Sequence, residues 1–142
     1  MARSNDLAKM SLWTFHDYET ESGENHIRSW YDAQAVAAQA AFRAAVIQLG
    51  RRPQWGPPLF KDLKKAHAGL SEIRFSIGVK PGLRRFRPVG ICDPLHRDFV
   101  FLVGCEKFEH GRTEPEMAFD LALDLKSQLD QGKGTIRAHQ YS

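Results

Sequence analysis

Arg74, Arg84, Arg85, Arg87 and Lys107 are the residues of this sequence best suited to chemistry, because together they can grip a phosphate-bearing ligand. A guanidinium donates two parallel charge-assisted hydrogen bonds to phosphate oxygens, and an ammonium adds a compact positive charge. Glu72 and Arg74 are two apart in an alternating stretch, which places them on one face of a strand. Arg84, Arg85 and Arg87 fall on both faces of the stretch that follows, so part of this cluster must share a surface with Arg74. Glu106, Lys107 and His110 come after Gly104, where an apolar run ends. There Lys107 suits stabilisation of a crowded phosphate, and Glu106 or His110 suits movement of a proton. Plainer readings stand beside these. Glu72 can be the cross-sheet partner of an arginine, a lone arginine a structural or solvated charge, and His110 an exposed loop residue.

The net charge of +3 conceals a division along the chain. Residues 51–112 hold thirteen basic and six acidic groups, whereas residues 1–25 hold two and five, and residues 113–142 three and five. A basic block between acidic flanks is the pattern of a localised anion-binding face. Its bland alternative is a solvated surface that happens to be rich in lysine and arginine.

Other classes lose ground on composition. The chain's 142 residues, 42% of them hydrophobic, suit one domain with a real core rather than disorder. No apolar run approaches the roughly 20 residues that span a bilayer, and no apolar leader segment follows Met1, so a secretory signal is not expected. Cys92 and Cys105 are too few for a disulfide framework. Cys92-x3-His96 and Cys105-x4-His110 lack the ligand number and spacing of a closed zinc site. No glycine-rich phosphate loop or nucleophile elbow occurs. A reduced cytoplasmic protein with no metal, cofactor or membrane partner is the expectation.

The remaining pattern supplies the elements that must hold the charged groups. Leu12, Trp13, Phe15 and Tyr18 read as a first strand. Ile27, Trp30, Tyr31, Ala35, Phe42, Ala45, Val46 and Leu49 recur at helical steps, as one helix or a kinked pair, up to Gly50. Pro53, Pro57 and Pro58 enforce an irregular connection, and Phe60 to Lys65 reads as a short turn. Ile73, Phe75 and Ile77 alternate with polar residues, and Lys80-Pro81-Gly82 joins that strand to Leu83–Val89 in a hairpin. Phe99 to Val103 predicts a central strand covered on both faces. Thr113, Pro115 and Glu116 announce a final helix with a buried stripe of Met117, Leu121, Leu125 and Leu129. Residues 1–132 thus read as a single α+β domain, and 133–142 as a polar C-terminal tail.

Three segments together resemble the RelE/ParE toxin superfamily, and most closely its HigB-like, phage-derived branch. They are Gly69-Leu70-Ser71-Glu72-Ile73-Arg74-Phe75, Gly82-Leu83-Arg84-Arg85-Phe86 and Phe101-Leu102-Val103-Gly104-Cys105-Glu106-Lys107. The resemblance implies a RelE-like fold, with an N-terminal helical hairpin packed on a twisted antiparallel sheet and a C-terminal helix. It implies the toxin half of a type II toxin–antitoxin pair, an endoribonuclease that cuts mRNA on the ribosome and is neutralised by a cognate antitoxin. Arg74, Arg84, Lys107 and His110 would then be the catalytic set, and Arg85, Arg87, Lys64 and Lys65 would bind RNA. Cleavage of that kind uses the RNA 2′-hydroxyl as nucleophile, so it asks for no protein nucleophile and no metal. Alternatives in the same light are a ParE-like inhibitor of a protein target such as gyrase, and an inactive phage-derived RNA-binding remnant. Glu72, Glu106 and Glu109 temper the basic patch in every case.

Overall fold

The structure, a computed structural model, describes residues 11–79, 81–107 and 113–140, with the side chains of 113–115 excepted. It is an α+β chain in which a bent sheet lies between two helical layers. Strand β1 (Thr14–Glu19) leads into α1 (His26–Asp32) and α2 (Val36–Gly50). Asn25 starts α1 by accepting the backbone N–H of Arg28 at 3.0 Å, leaving its amide to donate to Asp17 at 3.1 Å. The chain breaks at 33–35 and restarts without a side-chain cap, so the long helical pattern is a pair. Ile27, Tyr31, Phe42, Val46 and Leu49 face the sheet and are buried.

Beyond the proline-rich connection come β2 (Phe60–Asp62), a single 3-10 turn (Lys65–His67), β3 (Ser71–Ile73) and β4 (Phe75–Ile77). They are followed by β5 (Arg84–Phe86), β6 (Val89–Asp93), β7 (Asp98–Val103) and β8 (Glu106–Lys107). The chain continues with α3 (Thr113–Asp130) and β9 (Thr135–Ala138). Six strands form one sheet in the order β2-β3-β6-β7-β1-β9, and β4-β5-β8 form a second.

Three strand pairs of the sequence are each one strand interrupted at the same level. The breaks fall at Arg74, at Arg87-Pro88 and at Gly104-Cys105. Arg87 and Cys105 bridge the crease, exchanging backbone hydrogen bonds of 2.7 and 3.2 Å. Pro88 has no N–H to continue a ladder. Gly104 lies so close to Trp30 that a Cβ there would sit 2.1 Å from the indole. The bend brings β4 under α2 and carries Arg84, Arg85 and Lys107 with it on β5 and β8.

The apolar strand β7 behaves as its composition requires. Phe99 and Phe101 enter the cluster beneath α1 and α2, while Leu102 and Val103 enter the one beneath α3 with Leu70, Val89, Ala122 and Leu125.

Five expectations need correction. The stretch Phe60 to Lys65, read as a short turn, opens with strand β2, which pairs antiparallel with β3. The sheet is mixed rather than wholly antiparallel, because β1 runs parallel to β7. The 73–77 strand is split at Arg74 and shared between two sheets. Met117 and Leu121 are 70% and 38% exposed, and Ala122 with Leu125 carries the buried contact of α3 instead. The stretch read as a polar tail contains β9, which pairs antiparallel with β1. The expected cap side chains Thr113 and Pro115 lie outside the described residues, as does Lys80 of the hairpin turn. Among the described residues no helix is long and apolar enough to cross a membrane.

Candidate nucleic-acid interface

The crease creates a groove of about 590 Å3 between α2 and the β4–β5 hairpin. Ala41, Ala44 and Ala45 form its helical wall, and their small side chains leave it open. Arg74, Arg85 and Arg87 line the opposite side with Ser76.

One buried carboxylate orders two of these arginines. Glu72, 4% exposed, accepts from Arg74 Nε at 2.9 Å and lies 3.8 Å from Arg87 Nε. Arg87 also donates to the carbonyl of Phe86 at 3.2 Å. Burial pushes the Arg87 guanidinium down from its ordinary value; Glu72 opposes that shift, and Arg74 and Arg85 add to it. Arginine remains protonated under such shifts. Two guanidinium groups against one carboxylate, with Arg85 on the same wall, make the described lining of the groove cationic.

Arg84 and Lys107 lie in an adjoining cleft of about 480 Å3, together with Glu106 and Arg85. Arg84 is committed to Glu106 through a two-pronged pair, with Nε–Oε2 at 3.0 Å and Nη2–Oε1 at 2.6 Å. The hydrogen bond to Glu106 holds Arg84 above its ordinary value. The guanidinium also lies 5.1 Å from the Phe86 ring centroid. Lys107 is exposed and stands opposite Arg85 in the β5–β8 register.

Arg74, Arg84 and Lys107 thus do not converge on one point. Arg85, which lines both hollows, is the residue that joins them. Lys64 lines a third hollow with Lys61 and Arg74, whereas Lys65 is exposed in a left-handed conformation at the 3-10 turn. His110 lies outside the described residues. Among the described residues no three His, Cys, Asp or Glu side chains are grouped to hold a metal ion.

Two participants were not visible in the sequence reading. Lys61 extends the basic track, and nothing in its neighbourhood distinguishes it from a solvated lysine. The buried pair Asp17–His139 spans 2.7 Å with side chains 4% and 7% exposed. It ties the last strand to the first, and its signal would have been a histidine in a segment otherwise polar. Searches against family models, curated proteins and solved structures return no match for this chain.

Proposed function

We propose that this chain binds RNA through the Arg74–Arg85–Arg87 groove and acts as the toxin of a type II toxin–antitoxin pair, a RelE/ParE-type, HigB-like endoribonuclease directed at mRNA on the ribosome. The observation that carries this reading is the gathering of Arg74, Arg85 and Arg87 along one wall of an open groove, two of them ordered by the buried Glu72. Such a groove suits a phosphodiester, whose oxygens accept forked hydrogen bonds. It also suits a cleavage in which the 2′-oxygen attacks phosphorus and the 5′-oxygen departs, because guanidinium groups stabilise the added charge of that transition state. A helix pair ahead of the central strands, an apolar strand β7 followed by β8 with Lys107, and the helix α3 after it support the same reading. Lys107, exposed beside Arg85, is the second cation for the reacting phosphate.

Induced without an antitoxin, the protein should arrest growth, and primer extension should reveal new mRNA ends. Arg74→Ala, Arg85→Ala and Lys107→Ala should each relieve the arrest. Full arrest by all three would overturn the site. One observation favours a second reading, a non-catalytic RNA-binding module: Glu106 occupies Arg84 and sits beside Lys107. That reading expects affinity falling steeply with salt and intact mRNA. Arrest with intact mRNA and a DNA-damage response would point instead to a gyrase-type target.

A further inference from the structure

The arginine groove does not end at Arg74. That residue also lines a hollow of about 510 Å3 with Lys61 and Lys64, and this hollow shares Trp55, Phe60 and Asp62 with a further one of about 650 Å3. The last hollow is different in kind. Its wall is aromatic, with Trp13 and Trp55 stacked at 3.9 Å between centroids and Phe60 edge-on to Trp55.

Both indole N–H groups are already used, Trp13 on the carbonyl of Arg52 and Trp55 on that of Leu49, each at 2.8 Å. The wall is therefore held rigid; Trp13 and Phe60 are 3% and 7% exposed, so it is the half-buried Trp55 that offers a ligand apolar surface. The polar groups at its rim are Gln54, Arg97 and Asp62, an exposed carboxylate steadied by the Ser71 hydroxyl at 2.6 Å. Arg97 is held in a left-handed backbone conformation, φ 52°, which is uncommon outside glycine. Cys92 also lines this hollow, and burial pushes its thiol up to about 12, so it adds no negative charge at neutral pH.

A ligand that satisfies the whole path is polyanionic along one stretch and flat, uncharged and hydrogen-bonding at the other. Single-stranded nucleic acid has that character. We infer that the Trp13–Trp55 hollow is a nucleobase subsite that takes a guanine from the RNA strand whose phosphates lie in the arginine groove. Guanine matches the rim because its N1–H and amino group donate to a carboxylate, while its O6 and N7 accept from an arginine. This inference rests on the RNA-binding reading above and adds a base preference at a point removed from the Arg85–Lys107 phosphate site.

The test uses the full chain and oligoribonucleotides of about eight residues, a span usual for single-strand sites. Alternating guanine–uracil, alternating adenine–uracil and a base-free sugar–phosphate strand are titrated at low salt by fluorescence anisotropy. The guanine strand should bind about tenfold more tightly than the base-free strand, with the adenine strand between them. Asp62→Asn and Arg97→Gln should each remove the guanine advantage, whereas Arg85→Gln should weaken all three strands in parallel. Equal affinity for the three strands overturns the base subsite and leaves the arginine groove standing. Adenine bound as well as guanine overturns the roles of Asp62 and Arg97. No binding of any strand overturns the RNA reading itself, and the subsite with it.

Discussion

At the scale of single residues, Glu72 organises the basic groove while carrying the opposite charge. It is buried between Arg74 and Arg87, and Arg87 is itself only 9% exposed. Removing one partner of a buried ion pair leaves a charge that neither water nor protein compensates, at a cost of about 3–5 kcal/mol. Glu72→Ala should therefore lower the unfolding free energy by about 3 kcal/mol in urea titrations. The exposed pair Asp93–His96, joined at 2.7 Å, has a different signature. The hydrogen bond to Asp93 raises His96 above 6.5, and the same bond lowers Asp93 below 3.8. Its small contribution is complete above the ordinary carboxylate value and below the ordinary imidazole value. It fades as pH rises through the raised value of His96, and again as pH falls through the lowered value of Asp93. An NMR titration should place the His96 midpoint above 6.5, and Asp93→Asn should move it down. That Glu72 would pair with an arginine was legible in the sequence, but as a cross-sheet partner; its burial and its bond to Arg74 were not, because the strand breaks at Arg74. Arg84 and Arg85 were legible as facing opposite sides of one strand; the pairing of Arg84 with Glu106 was not, since it depends on β8 lying beside β5.

Among the elements, the crease across three strands decides where function can sit. Its closest approach is Gly104 against Trp30, which any side chain would disturb. Gly104→Ala must displace the indole or the strand, and overpacking of this sort costs about 1–3 kcal/mol. The variant should unfold at lower urea with altered tryptophan fluorescence, and Trp30→Leu in the same chain should recover part of the loss. Both helix layers and the apolar β7 were readable because their periodicities are strong and their faces fully covered. Met117 and Leu121 misled because a helical stripe tells which side of α3 is apolar but not how much of its length meets the sheet. The exposed strand β9 misled for the opposite reason. It is an edge strand with no layer over it, so it carries no alternation to read.

For the molecule as a whole, one basic face and one long-range clasp dominate. The segmental charge excess located the face, but its division into an arginine groove, a glutamate-guarded cleft and an aromatic hollow needed three dimensions. The clasp is His139 on Asp17, with His139 also packed on Phe42 and Phe101 and its N–H bonded to the carbonyl of Phe15. His139→Ala should leave the Asp17 carboxylate buried with Asn25 alone, lowering stability by about 3 kcal/mol in urea denaturation. The clasp also sets a clock. Its two ends are 122 residues apart, so β1 leaves the ribosome well before its partner exists. At roughly 5–20 residues per second that interval is about 6–24 s. Throughout it Asp17 lacks its histidine and Tyr18 its acceptor on Lys133. If the protein attacks translating ribosomes as proposed, late closure keeps the fold that would do so unfinished for the whole of that interval.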